Sequence, residues 1–373
     1  MKLLVAQPRL SEALQAASYF TPPRTLSNAP APAVLRGEEG TIWIYTQDFG
    51  QWFECNIPGE VIEPGEVRVP LKILVEVVKK LPTGAVMLSL NDGNGNMLIS
   101  TGNSNYAVVT LAGAEVETDL EEKSYPPEET VTIPGKSFGT IVASTAFAAS
   151  SDLTRDIMTG VNMRFEENFV SMAAVDGVRL AYNRIQVAQS ARSEVSAVVP
   201  AALLGDVARI CQDKETVEVQ FYRKAVCFKS GNYTVFSRTL EGKFPAYKEI
   251  INIEGGTSVI VGKNDFCDAL ERVSLFSRDT DKAVVLDLEP AKVVISSMSA
   301  DVGSGREEVP ARVEGERFRV SFNARYLLEG MKPFSAEDVL LQLTGPVSKA
   351  CVRAWESTDW VDYRYILMPL KME

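Results

Sequence analysis

The sequence predicts an α+β fold built as three tandem copies of one domain. Three observations carry this. Similar helical stretches recur at intervals of 127 and 129 residues. Each copy carries a strand that runs straight into a helix. The helices are also too few to cover both faces of a parallel sheet, which points to antiparallel sheets with two helices on one side. A chain of 373 residues, 46% apolar and 23% charged, is long enough for two or three domains and ordinary in composition.

The first helix of each copy is read at Leu10–Phe20, Lys136–Phe147 and Asp265–Phe276, where apolar residues fall at helical spacing and the stretch ends in phenylalanine. The second helix follows a strand. Val67–Pro70 leads into Leu71–Leu81, Ala197–Pro200 into Ala201–Ile210, and Phe318–Phe322 into Asn323–Met331. Proline suits a helix start because its missing N–H would be unpaired there. Alternating strands come next, at Val86–Leu90, Val217–Phe221 and Val339–Leu343. Thr41–Tyr45, Phe169–Ala173 and Val284–Leu288 also read as strands. Gly102 and Gly231, 129 apart, read as hairpin turns. Asp48 and Asp176, 128 apart, mark a second turn. The third copy repeats these two markers weakly, at Asp301 and from Ala354 to Trp360. The expected domains are 1–127, 128–253 and 254–373. Their joints lie near Ser124–Pro127 and Phe244–Tyr247, aromatic-proline segments of the extended kind.

Histidine is absent. That removes the commonest general base, the Ser-His and Cys-His nucleophile pairs and the commonest zinc ligand. Cys55, Cys211, Cys227, Cys267 and Cys351 are dispersed with no CxxC and read as buried small hydrophobes. No cofactor or metal is expected. No apolar run approaches the roughly 18 residues needed to span a bilayer. Leu3–Ala6 is too short for a signal-peptide core, so a cytoplasmic protein with no membrane partner is expected.

The 38 basic and 49 acidic residues give a formal charge of −11, a bulk field that repels nucleic acid. The charge is uneven. The three thirds hold nine basic against fifteen acidic residues, fourteen against fourteen, and fifteen against twenty. The helical stretches carry Arg9, Arg24, Lys72, Lys79, Lys80, Lys136, Arg155, Arg209, Lys214, Lys263, Arg272, Arg325 and Lys332. Acid gathers elsewhere, at Glu115–Glu122, Glu128–Glu129, Glu166–Glu167 and Glu307–Glu308.

Four local words sit on this repeat. Ala174–Ala181 reads AVDGVRLA, Leu240–Tyr247 reads LEGKFPAY, Phe322–Leu327 reads FNARYL, and Tyr365–Leu370 reads YILMPL. In this order they resemble the β subunit of bacterial replicative DNA polymerase, the sliding-clamp family, along the whole chain. The resemblance implies three DNA-clamp domains per chain and two chains joined head to tail in a ring. Six domains would surround duplex DNA, with twelve helices lining the hole and the sheets outside. Such a ring catalyses nothing, tethers the polymerase and other clients, and is opened by an ATP-driven loader. A protein that slides must hold phosphates without reading bases. Arg9, Arg24, Lys72, Lys79, Lys80, Lys136, Arg209, Lys263, Arg325 and Lys332 are therefore expected to face DNA.

The resemblance also implies a groove between the second and third domains for a client peptide with Leu and Phe anchors and a polar Gln. By local alignment its deep subsite would be Met158, Val175, Gly177, Val178, Arg179, Leu180, Pro245, Ile250, Ile366 and Met368. A shallower subsite would involve Arg155, Ile157, Asn323, Tyr326, Val347, Pro369 and Leu370. Methionine and branched aliphatics make an adaptable socket, and Arg and Asn at the rim can bond the peptide. Val178 stands where the family has His and Val175 where it has Thr, so the socket should be more apolar. The implied dimer contact pairs an edge strand of the first domain with the third domain, at Tyr106, Leu275 and Phe276. Phe276 also reads as core, because Phe20 and Phe147 are its counterparts.

Three other readings compete. An enzyme could use Asp48 or Asp176 as acid or base, but the chain offers no phosphate loop and no metal spacing. A tandem-domain interaction module without DNA explains the repeat and the acidity, not the basic helices. A clamp paralogue with altered clients is motivated by Val175 and Val178.

Overall fold

The computed structural model describes residues 1–21, 31–48, 50–91, 95–102, 104–111, 125–253, 255–277, 282–355 and 362–372. It divides into two compact units, Met1–Lys136 with Asp206–Thr239 and Ser137–Gly205 with Leu240–Glu373. Arg24, the Glu115–Glu122 cluster, Ser124 and Trp360 lie outside the described residues.

The first unit holds two sheets. One has five strands in the order Glu60–Glu63, Lys2–Ala6, Ala85–Asn91, Asn96–Thr101, Ser104–Val109. The other has eight, in the order Glu129–Pro134, Thr216–Tyr222, Ala225–Ser230, Tyr233–Arg238, Gln51–Pro58, Thr41–Asp48, Pro32–Glu38, Gly65–Pro70. The second unit holds one sheet of twelve, in the order Val195–Pro200, Gly160–Glu166, Phe169–Val175, Arg179–Gln186, Arg364–Leu367, Ala350–Ala354, Asp338–Leu343, Thr257–Gly262, Gly303–Glu314, Lys292–Ser299, Ala283–Glu289, Arg319–Asn323. Neighbouring strands are antiparallel, as expected. The middle repeat contributes strands to both units.

Six α-helices lie among the described residues: α1 Gln7–Tyr19, α2 Leu71–Lys80, α3 Gly135–Ala143, α4 Ala201–Cys211, α5 Lys263–Ser274 and α6 Ala324–Met331. Each buries one stripe. In α1 it is Leu10, Ala13, Leu14 and Ala17, in α5 Phe266, Ala269, Leu270 and Val273. That spacing is the apolar face of an amphipathic helix. α1 packs on α2 and α5 on α6. The pairs are tied alike: Gln7 Nε2 donates to the Val78 carbonyl at the end of α2 (2.8 Å), and Lys263 Nζ donates to Phe334 O just past α6 (2.6 Å).

The glycines at the expected turns have left-handed φ: +51° at Gly102, +58° at Gly231 and +99° at Gly177. Two details differ from expectation. α3 stops at Ala143, short of Phe147. Ser144 and Thr145 turn their hydroxyls back onto Ile141 O (2.9 and 2.7 Å), offering the chain an alternative to a further helical turn, and a 3-10 turn at Ala146–Ala148 follows. In the third repeat the hairpin pairs Ser299 with Gly303, so Asp301 is out of register with Asp48, which pairs with Gln51.

Candidate functional site

The candidate groove is built on one ladder. Arg179–Tyr182 of the second repeat pairs with Arg364–Leu367 of the third, and Met368 N–H donates to Val178 O at 2.8 Å. The turn that begins this strand is held by Asp176. Its Oδ1 accepts from the N–H groups of Val178 and Arg179 (3.0 Å each), an arrangement Asp favours at turns. Gly177 is required twice. Its φ is +99°, and a Cβ there would lie 2.9 Å from Arg155 Nη1. That guanidinium reaches over the turn to donate to Asp176 O at 3.0 Å.

Beside the turn lies an apolar floor. Val175, Leu180 and Ile366 are buried in one cluster with Ala173, Tyr182, Tyr247, Ile251 and Cys351, and Met158, Phe244 and Ile250 pack on it half-buried. Pro245, also half-buried, lies between Phe244 and Tyr247, whose rings meet edge to face at 6.0 Å. Val178 and Met368 stand at the mouth, 46% and 43% exposed. Ile157 covers the Gly242 backbone. The floor offers dispersion contacts to apolar anchors, and Arg155 at its edge offers donors.

The shallower set attaches through α6. Asn323 caps that helix by accepting from Tyr326 N–H at 3.1 Å. The Tyr326 ring lies 4.2 Å from the Arg179 guanidinium carbon, a cation–π contact. Leu370 N–H donates to Ser321 O at 2.7 Å, which fixes the end of the chain, Pro369 included, beside the strand preceding α6. Val347 is exposed on the Gly345–Ser348 turn, and among the described residues no bond ties it to the cluster.

Arg179 is the hub. It is 7% exposed, yet its donors are used: Nε to Asp176 Oδ2 (2.8 Å), Nη2 to Phe147 O (3.0 Å) and Nη1 to Glu329 Oε2. Burial alone would lower its pKa, but the bond to Glu329 and the surrounding groups outweigh burial and raise it. Sequence reasoning missed Glu329, Phe147 as a neighbour of Arg179, and the Phe244, Tyr247 and Ile251 side chains that flank Pro245 and Ile250. Only the DGVR spacing hinted at the Asp176–Arg179 pair.

The candidate nucleic-acid residues are mostly exposed. Arg9, Lys72, Lys79, Lys80, Lys136, Arg209, Arg325 and Lys332 lie on the outer sides of the helices or at their ends. Among the described residues, Arg9, Lys72, Lys79 and Lys332 have no acidic partner. Lys80 lies 4.0 Å from Glu76, Arg209 bonds Asp206 at 3.3 Å, and Arg325 bonds Glu329 at 2.8 Å. Lys263 is half-buried, and its bond to Phe334 O makes it first a helix tie. Tyr106 (42% exposed) sits on an edge strand and Leu275 (72% exposed) just past α5. Phe276 is half-buried against Gly305.

Tandem α+β repeats and antiparallel sheets that continue from one repeat into the next define a chain of clamp domains. Three family descriptions cover it: DNA polymerase III beta subunit, N-terminal domain, over residues 1–121; central domain, over 132–246; and C-terminal domain, over 248–371. The chain is 27% identical to a beta sliding clamp of Synechococcus elongatus over 380 residues, all of both chains. It is 30% identical to that of Staphylococcus epidermidis over 295 residues, 77% of this chain and 75% of the relative. The fold matches a crystal structure of the C. crescentus beta sliding clamp with a TM-score of 0.92 at 24% identity, over 100% of this chain and 99% of the other. The chain belongs to the DNA polymerase III beta subunit family, the beta sliding clamps, which are non-catalytic processivity subunits. Among the described residues no helix is long and apolar enough to cross a membrane.

Proposed function

We propose that the chain, with domains at 1–127, 128–253 and 254–373, closes with a second copy into a ring around duplex DNA. It holds the replicative polymerase, its loader and other clients through the groove at the second and third repeats. One observation carries this reading, a repeated ladder with one member missing. Gln51–Pro58 of the first repeat pairs with Tyr233–Arg238 of the second, and Arg179–Gln186 of the second with Arg364–Leu367 of the third. The counterparts left over are Ser104–Val109 in the first repeat and Gly303–Pro310 in the third. Ser104–Val109 ends its sheet, and Gly303–Pro310 is paired on one side only, to Lys292–Ser299. Open edges invite another strand. Two copies joined head to tail satisfy both.

The repeat also supplies a register. At the made joints Val235 faces Phe53 and Tyr365 faces Ala181, and the Tyr365 ring meets Phe147 at a tilt with centroids 5.8 Å apart. Transferred to the open edges, Tyr106 of one copy faces Gly305 of the other. Phe276, the counterpart of Phe147, already covers Gly305, where a Cβ would meet its ring at 2.6 Å. Tyr106 thus lands on Phe276, with Leu275 beside it. The basic helix residues then contact phosphates without reading sequence, which is the salt-sensitive, mobile mode of DNA binding.

Sedimentation velocity at several concentrations tests the ring. The expected species has twice the 40.8 kDa chain mass, and Tyr106→Asp should yield monomer. The dimer should be retained on circular DNA and lost from linear DNA. A wild-type chain that stays monomeric at high micromolar concentration, or a Tyr106→Asp dimer of unchanged stability, overturns the reading.

A further inference from the structure

We infer that Glu329 is a positioning residue for the client groove, acting through Arg179 to hold the Asp176–Val178 turn and the Tyr326 ring in their binding arrangement. This rests on the groove reading given above. Glu329 itself lies on α6, outside the floor and the turn. Its carboxylate is divided between two guanidinia, with Oε2 accepting from Arg179 Nη1 and Oε1 from Arg325 Nε at 2.8 Å.

Three observations carry the inference. Arg179 is nearly fully buried, so each of its bonds is made out of competition with water and the loss of one leaves a charge partly uncompensated. The same guanidinium reaches groups from three places: the Asp176 turn, the Phe147 carbonyl after α3, and α6 through Glu329 and the Tyr326 face. Finally, α6 cannot slide to compensate. Tyr365 and Tyr363 donate their hydroxyls to Tyr326 O and Gly330 O (3.0 Å each), and a Cβ at Gly330 would overlap the Tyr365 ring. Glu329 is therefore the carboxylate by which a fixed helix sets the torsions of Arg179. Arg179 in turn sets the turn whose Val178 carbonyl receives Met368 N–H.

The test is the affinity and dissociation rate of a fluorescent synthetic hexapeptide bearing a Gln, a Leu and a Phe, measured on the full chain. Glu329→Gln should weaken binding about tenfold, mainly through faster dissociation. Glu329→Asp, which keeps the charge with a shorter reach, should be intermediate. Arg325→Ala should stay within about twofold, because an exposed i,i+4 pair contributes little. In an Arg179→Met background Glu329→Gln should have no further effect, since the path through Arg179 is gone. A general loosening of the fold would instead add to the effect of that change. Unchanged peptide affinity in Glu329→Gln, with Met368→Ala weakening binding as expected, overturns the inference and leaves the groove standing. Failure of the wild-type chain to bind the peptide overturns the groove and the inference with it.

Discussion

Two joints in this molecule have the same backbone and different side chains. At the first, Gln51–Ser237 pairing ends in a bond from Arg238 N–H to Gly50 O at 2.8 Å. At the second, Arg179–Leu367 pairing ends in a bond from Met368 N–H to Val178 O, also 2.8 Å. On one face of the first joint Tyr45, Trp52, Cys227 and Phe236 pack with Val34 and Ala225, and the rings fill the space. In register with those four, the second joint has Ala173, Leu180, Cys351 and Ile366. Aromatic bulk at three of four positions is replaced by smaller side chains. The smaller set is supplemented by Tyr247 and Ile251 from the segment that closes the second repeat, with Met158, Phe244 and Ile250 packed half-buried against it. The proposed groove lies at the joint that its own side chains underfill, with no change in the ladder that holds it.

The comparison is tested most severely by emptying the first joint. Phe53, fully buried, stacks on Phe20 at 4.9 Å and meets Tyr233 at 6.0 Å. Phe53→Ala should cost about 3–5 kcal/mol in denaturant unfolding, the usual range for removing a buried aromatic. Peptide affinity of the folded variant should not change. A loss below about 1 kcal/mol would mean that the first joint is not the packed member of the pair.

Met368→Ala probes the underfilled joint and should reverse that pattern. The side chain is half-exposed, so unfolding should change by no more than about 1 kcal/mol. Peptide affinity should fall about tenfold, which corresponds to ~1.4 kcal/mol. Equal affinity in the variant and the wild type would remove Met368 from the groove.

Much of this was legible in the sequence, for a physical reason. Helix stripes, strand alternation and glycine turns are local. Each of the six helices overlaps the stretch that periodicity marks, α3 ending short of it, and the Gly102, Gly231 and Gly177 turns fall where turn chemistry puts them. The residues that failed are those whose role depends on distant partners. Lys263 reads as a surface lysine until Phe334 O is found above it. Phe147 reads as the end of a helix until Ser144 and Thr145 turn the chain and the ring meets Tyr365. Glu329, half-buried, stands on an ordinary amphipathic helix, and nothing local separates it from acids that face solvent. The underfilled joint was in principle readable, since Tyr45 and Ala173, or Trp52 and Leu180, stand 128 residues apart. The pairing of Cys227 with Cys351 was hidden by a shorter spacing in the third repeat.

The joints should also differ in their response to acid. The residue in register with Arg179 is Gln51, so the first joint has no ion pair at that position. At the second, burial alone would raise the Glu329 carboxyl, but Arg325 and Arg179 outweigh it and hold it below the usual range. A carboxyl depressed on folding stabilises fully above its unfolded pKa of about 4.3, and that contribution is lost as pH falls through the lower folded value. The thermal midpoint of the wild type relative to Glu329→Gln should be steady from about pH 5 to 8 and shrink below about 4. A difference that persists unchanged to about pH 3 would show that the carboxylate's charge is not what ties α6 to Arg179.

The smallest expected effect concerns what the joints hold in place. Lys79 lies in the last turn of α2, in the first unit, and Lys332 caps the end of α6, in the second. Both are exposed and, among the described residues, without an acidic partner. If both helices face the same duplex, each lysine releases about one counterion on binding. Lys79→Ala and Lys332→Ala should then each reduce the slope of log affinity against log salt by about one, equally for unrelated DNA sequences. Neither change touches the groove, so hexapeptide affinity should be constant. A slope that falls for Lys79→Ala alone would confine DNA contact to the helices of the first unit. The two units would then differ in partner as well as in packing.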